Sequence, residues 1–347
     1  MVSVPESATN RGSRTKSFPE LSRYEKPDTK KAVWQLINSF VPYIGLWIAM
    51  VYLMNYGMSY WLILPLAILA SGFLMRIFIF FHDCGHDCFF ASRKANRFLG
   101  FITGVLTFTP FDDWRHQHAL HHASAGDLDR RGAGDVWTLT VSEYESAPKL
   151  TRLGYRLFRH PFTLFVLGPI FLFFIAHRFP HKGASKRERM SVHTTNLALL
   201  AIMGLASVTI GLKTYLLIQL PVMGIAGVIG VWLFYVQHQY ESVYWADHQN
   251  WDPIEAALAG SSYYKLPKVL QWFSGNIGFH HIHHLRSRIP NYHLAKCHQE
   301  VPAMQQAETL TLGRSLRSMF LNLWDDTNQK MVSFRALRRR HRLHAAE

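Results

Sequence analysis

Four long apolar stretches stand out along the chain, at roughly 36–54, 58–81, 193–212 and 214–237. Three carry no charge. The other holds a single one, Arg76, near its end, where a long side chain reaches the headgroup layer. Each has about the 20 residues that a helix needs to cross bilayer hydrocarbon. Asn55-Tyr56-Gly57 joins the first two and Gly211-Leu212-Lys213 the last two, which predicts two hairpins. Two shorter stretches lie between them. The segment 98–111 contains Gly100, Gly104 and Pro110, and 161–176 contains Gly168-Pro169. Both fall short of a span, so they are expected to lie in the interface or to re-enter.

Composition sharpens that picture. Apolar residues make up 49% of the 347 and aromatics 14%, yet mean hydropathy is zero, so strongly polar segments offset the apolar ones. The net charge of +14 is concentrated at 11–31, 178–189 and 335–342, beside or beyond the apolar stretches. Basic flanks of apolar spans are the positive-inside signature of a membrane protein. No zinc-finger, homeodomain or RNA-recognition pattern accompanies the charge, so nucleic acid is not an expected partner. The first 31 residues lack the apolar core of a secretory signal and read as a disordered cytoplasmic tail. Cys84, Cys88 and Cys297 are too few for a disulfide framework, and Cys84 and Cys88 read as reduced packing residues.

The candidate chemistry lies in the histidines. The sequence has 20, and eight fall at helical ligand spacings. His82 and His86 follow the second span directly and lie one turn apart if its helix continues. His118, His121 and His122 stand at i, i+3 and i+4, and His280, His283 and His284 repeat that spacing. Each triplet covers only about 100° of helix circumference, so three ligand faces can converge on one centre. His116 points away from its cluster, and His281 is the less favoured member of its own. Eight imidazoles exceed what one tetrahedral zinc needs, so two metals are implied, with iron, copper, nickel and zinc all compatible with nitrogen donors. His238 ends the last span, placed either in the same cluster or at the headgroup boundary. Asn276, one turn before His280, is positioned to reach a metal through water, or else to serve the local turn. Asp83, Asp87, Asp112, Asp113 and Asp247 are candidate acceptors for imidazole N–H groups, or solvated loop carboxylates.

These motifs resemble the membrane fatty acid desaturases, whose three histidine boxes appear here as His82–His86, His118–His122 and His280–His284. HDCGHDCFF, WRHQHALHHASAGDLDRRGAGDVWTLT and GFHHIHHLRSRIPNYHL are similar to the acyl-lipid Δ12/omega-6 and omega-3 branch, over roughly residues 35–300. The resemblance implies a non-haem diiron site that takes two electrons and O2, and a cis double bond formed between two adjacent methylenes. The eight box histidines would be ligands, and a ninth outside the boxes would correspond to His238. No fused cytochrome b5 motif is present, so an external ferredoxin or cytochrome b5 type donor is expected, with a fatty acyl lipid as substrate.

The expected fold is therefore an all-α integral membrane protein. Four transmembrane helices form two hairpins, with interfacial helices, a cytoplasmic histidine-rich cap and both termini cytoplasmic. A spanning 161–176 would put the first and last clusters on opposite faces and forbid a shared site. The expected domains are a tail at 1–31, a membrane desaturase domain at 32–310 and a basic tail at 311–347. The nearest rival is a diiron membrane hydroxylase acting on an alkane, sterol or carotenoid. A haem protein would need isolated histidines facing one another within the spans, and a metal transporter would need polar residues in mid-span. Neither pattern fits.

Overall fold

The computed structural model describes residues 18–132 and 134–344. Helix α1 (Thr29–Asn55) starts where the Asp28 carboxylate accepts the backbone N–H of Lys31 at 3.1 Å, satisfying one of the donors that a helix start leaves free. A turn through Gly57, at φ +67°, leads into α2 (Tyr60–Gly85). Then come α3 (Arg93–Leu106), α4 (Phe111–Ser124), a short strand β1 (Leu139–Thr140) and α5 (Lys149–Phe158). The helical run Thr163–Arg178 follows at 63° to α5. It contains π-helical turns at Thr163–Leu167 and Phe171–Ile175, on either side of Gly168-Pro169, as a proline that cannot donate would cause.

Helix α6 (Lys186–Thr209) opens with a reciprocal capping box between Ser185 and Glu188. Gly211, at φ +84°, turns the chain into α7 (Leu212–His238). Helices α1, α2, α6 and α7 are long and apolar enough to cross a membrane. They match the four predicted stretches, and each extends beyond them at one end or both. Helix α2 is the most enclosed, packed against α1 and α7. On the outer surfaces Trp61, Leu197 and Val208 are exposed, which suits lipid rather than water as the surrounding medium.

The remaining elements follow α7 in the chain. Strand β2 (Tyr263–Lys265) precedes α8 (Lys268–Phe273), α9 (His280–Leu285) and α10 (Asn291–Glu300), and β2 pairs in parallel with β3 (Thr309–Thr311). Strand β4 (Leu323–Asp325) lies between β1 and β5 (Lys330–Val332), and α11 (Phe334–His344) closes the described chain.

Three expectations change here. Residues 311–344 were expected to be a basic tail but are folded: Leu323, Trp324 and Met331 are buried, and Arg340 pairs with Asp325 at 2.9 Å. The arginines of this segment line its outer side, and its few apolar residues supply the core. At the other end, residues 1–17 of the expected tail lie outside the described residues. Residues 18–31 are ordered, because Leu21 and Tyr24 are buried against Leu294, Cys297 and Met304. Arg76, expected to extend its long side chain outward to the headgroups, is instead enclosed by protein, 3% exposed, with Nε donating to Ser39 Oγ at 3.0 Å and its guanidinium 4.0 Å from the Trp272 ring.

Candidate metal centre

Helix α2 ends at Gly85, so His82 lies in its last turn and His86 at its C-cap. The helix stops earlier than the spacing suggested, yet the two rings are still only 4.8 Å apart. Gly85 makes room for this arrangement. A Cβ there would lie 2.9 Å from the Trp114 ring, which itself stacks on His118 at 4.4 Å. Helix α4 supplies His118, His121 and His122, α9 supplies His280, His283 and His284, and α7 ends on His238.

These nine histidines fall into two groups of nitrogen atoms, each confined within 4.8 Å. One holds His82, His86, His118, His122 and His283, and the other His121, His238, His280 and His284. The two triplets are thus divided between the groups: His118 and His122 face one way and His121 the other, and α9 divides His283 from His280 and His284. All eight box histidines are brought together, with His238 among them.

The hydrogen bonds behind the rings fix what their front nitrogens can be. His121 Nδ1 lies 2.6 Å from Asp135 Oδ1, and His238 Nδ1 lies 3.1 Å from the Gly260 carbonyl oxygen. A carbonyl only accepts, so His238 Nδ1 is the donor and Nε2 of that neutral ring presents a lone pair. A ring that donates to a carboxylate does the same. Yet His121 Nε2 and His238 Nε2 face each other at 3.2 Å, with no proton to share. The same crowding recurs between His238 and His280 (2.9 Å), His280 and His284 (3.1 Å), His118 and His122 (3.1 Å), and His122 and His283 (2.9 Å). Imidazole nitrogens bound at about 2.0–2.1 Å to one first-row cation, at right angles, lie roughly 3 Å apart. The donor set fits a metal ion in each group.

Electrostatics act in the same direction. Burial, and then the neighbouring imidazoles, hold His118, His122, His280, His283 and His284 well below the ordinary pKa of 6.5. Neutral imidazole is the form that ligates. His281 is pushed down to about 3 by burial, and its Nε2 donates to the Met304 carbonyl at 2.8 Å. It belongs to neither group. His116 is also outside both, stacked on His181 and 3.5 Å from Glu188.

Among the five aspartates considered from sequence, Asp83 backs one of the nine rings, with Oδ1 3.2 Å from His82 Nδ1. Its other oxygen accepts from the backbone and side chain of Asn291 at 2.7 and 2.9 Å. Asp87 pairs with Arg115, Asp112 with Arg187, Asp113 with His181, and Asp247 with Asn250. Asp135, which sequence reasoning missed, lies 14 residues beyond His121 in a glycine-rich loop. Helical spacing carries no signal for it. Gly134, at φ +74°, lets that loop approach α4, where a Cβ would meet His121 Cβ at 3.1 Å. The Gly260 carbonyl offers no side-chain signal at all. Asn276 takes a left-handed backbone conformation, φ +60°, and its amide is engaged by Gln271 and Asn291 at 3.3 and 3.2 Å. Cys84 and Cys88 are buried free thiols outside both groups.

Residues 59–316 match the family model described as Fatty acid desaturase. The chain is 48% identical over 319 residues to a fatty acid desaturase of Bacillus subtilis, covering 92% of this chain and 90% of that one. It is 27% identical over 252 residues to the sn-1 oleoyl-lipid 12-desaturase of a Synechocystis species, covering 69% and 68%. It is 26% identical over 276 residues to the sn-1 acyl-lipid omega-3 desaturase (ferredoxin) of a Nostoc species, covering 73% and 71%. The family match runs from the start of α2 past the last histidine cluster, so the residues that converge at the two nitrogen groups are the ones it covers. This chain belongs to the fatty acid desaturase family, integral membrane oxidoreductases.

Proposed function

We propose that the protein is an O2-dependent desaturase that introduces a cis double bond into a lipid-linked acyl chain, with one iron held by each nitrogen group. The observation that carries this reading is the opposed pair His121 Nε2 and His238 Nε2, two lone pairs 3.2 Å apart, which a shared cation relieves. Bound iron would supply the redox chemistry that zinc cannot, since removing hydrogen from an unactivated methylene needs a metal that changes oxidation state. Overall, one O2, two electrons and two protons, with two hydrogens taken from adjacent methylenes, give one double bond and two waters.

The chain's own residues prepare the site. Asp135 and the Gly260 carbonyl hold His121 and His238 in the ligating tautomer, and Asp83 does the same for His82. The Trp114 and Phe234 rings lie against His118 and His121, excluding water. The electrons would come from an external protein, in keeping with the ferredoxin in the Nostoc relative's name. The acyl carrier is read as lipid, in keeping with the names of both lower-identity relatives.

Contacts between the elements support a two-hairpin orientation. The C-termini of α2 and α7 share the histidines, and the N-terminus of α6 touches α4 through Asp112 N–H donating to Ser191 Oγ at 3.0 Å. Arg159, just before the run Thr163–Arg178, donates to Gln239 at 2.9 Å, and Arg178, at its end, to Asn196 at 2.7 Å. Both ends of the run are thus tied to one side, which supports re-entry and two spanning hairpins. The basic segments beside the apolar spans support a cytoplasmic location for that side and for both termini.

The test is expression in a host without polyunsaturated lipids, followed by gas chromatography of total fatty acids, with His121→Ala as control. A new unsaturated fatty acid present only with the unaltered chain supports the reading. Hydroxylated products in its place would move the protein to the hydroxylase class.

A further inference from the structure

An open cleft of about 500 Å³ lies between the start of α1, the last turns of α2 and the short helix α8. Three cations line it, Lys31, Arg76 and Lys268, together with amide and aromatic side chains and no carboxylate. Arg76 is 3% exposed. Its guanidinium donates to Ser39 and to the Trp272 carbonyl and stacks on the Trp272 ring. Among the described residues no carboxylate lies within ion-pair distance of it. A guanidinium enclosed beside a membrane helix without a counter-ion is costly unless an anion joins it. Gln35, also lining the cleft and 7% exposed, has an amide oxygen with no hydrogen-bond partner.

The depth of the cleft indicates what kind of anion this is. Trp34 and Trp272 are exposed at its rim, and α8 also exposes Val269 and Leu270 beside Lys268. Exposed tryptophans and apolar residues mixed with lysines mark the headgroup layer. Hydrogen bonds also link the cleft wall to the metal-binding histidines. Gln35 Nε2 donates to Asn291 Oδ1 at 2.8 Å, Asn291 donates to Asp83 at 2.7 and 2.9 Å, and Asp83 accepts from His82 at 3.2 Å. Four side chains thus lead from the cleft wall to the first nitrogen group, all of them buried.

We propose that this cleft binds the phosphodiester of the substrate lipid, so that the acyl carrier is an anionic glycerophospholipid held by Arg76, Lys31 and Lys268 while its acyl chain reaches the histidine centre. This rests on the acyl-lipid desaturase reading and narrows it. The phosphate replaces the missing counter-ion of Arg76, the rim lysines neutralise it further, and the free Gln35 amide oxygen accepts from a headgroup hydroxyl.

The test uses the full-length, iron-loaded protein in neutral detergent. It is titrated with phosphatidylglycerol and with monogalactosyl diacylglycerol of identical acyl chains, and bound lipid is counted by native mass spectrometry. Roughly tenfold or stronger preference for the phospholipid is expected, and Lys31→Gln with Lys268→Gln should remove most of it. That double variant leaves buried Arg76 in place, so folding is not at stake. Equal binding of the two lipids, or a preference that survives the double variant, would overturn the proposal. So would competition by glycerol phosphate as strong as by the lipid, which would make this a site for free phosphate. The same preparation, given reductant and O2, should form double bonds faster on phosphatidylglycerol. Equal conversion of both lipids would overturn the headgroup site and leave desaturation standing. No product from any acyl lipid would end the desaturase reading, and with it the substrate role of the cleft.

Discussion

The two nitrogen groups differ in enclosure and in how they are held. In the five-histidine group His86, His118 and His122 are only partly buried, whereas all four members of the other group are buried. The more open group is backed by Asp83, itself fixed by Asn291. The closed one is backed by Asp135 at 2.6 Å and by the backbone of Gly260. The open group is the less enclosed of the two, while the closed group depends on internal hydrogen bonds for its geometry. Ions held by the two groups would meet different surroundings, and substitutions in the two groups should have separable effects.

The largest effect is expected from deleting ligands on opposite sides of that division. His284→Ala should empty the closed group and His283→Ala should weaken the open one, each cutting turnover by about a hundredfold or more, since each removes a direct metal ligand. Metal analysis would distinguish them: the closed group, with four ligands, should lose its ion outright, while the open group retains four ligands and part of its occupancy. Next come the supporting carboxylates. Asp135→Asn should lower metal affinity or activity by about 10–100-fold and Asp83→Asn by less, because the shorter contact holds its ring more firmly. A chelator titration of the two variants would rank them, and equal effects would remove the distinction drawn between the groups.

Acidification should affect both groups through stability. His118, His122, His280, His283 and His284 have folded pKa values lowered by burial below the ordinary 6.5. Below that value the unfolded chain binds protons that the folded one refuses, so stability falls as pH drops through 6.5 and is unaffected by these groups above it. Thermal unfolding of the metal-free protein at pH 7.5 and 5.5 should show the lower midpoint at 5.5. A smaller change is expected from Gly85→Ala, whose new methyl displaces Trp114 from behind His118. It should destabilise by about 1–3 kcal/mol, as overpacking does, and affect the open group first. His116→Ala and His341→Ala should leave iron content and turnover within error, since both rings lie outside the two groups and contact Glu188 and Glu145.

Much of the site was legible in the sequence because helices impose spacing. Eight histidines at i, i+3 and i+4 had to share faces, and the apolar stretches fixed which ends those faces occupy. The division into two groups was not legible. It depends on the rotation of α4 and α9 about their axes, so that His121 turns away from His118 and His122, and the spacing leaves that angle free. His238 stands alone in a span, and no partner at helical distance reports its role. Asp135 approaches His121 across a loop, and Arg76 turned inward because Ser39 and Trp272 offered it partners. In each case the deciding contact joins residues distant in sequence. The folded C-terminal segment shows the same limit: its arginines dominate the composition, but Leu323, Trp324 and Met331 decide its structure.

The central claim is that nine histidines hold two irons and that His238 belongs to only one of them. The direct test is iron per chain, measured by mass spectrometry of the purified protein together with Mössbauer spectra, for the unaltered chain and for His238→Ala. Two irons per chain are expected in the first and about one in the second, the remaining signal being that of the five-histidine group. Two irons retained in His238→Ala, or a single iron in the unaltered protein, would contradict that claim.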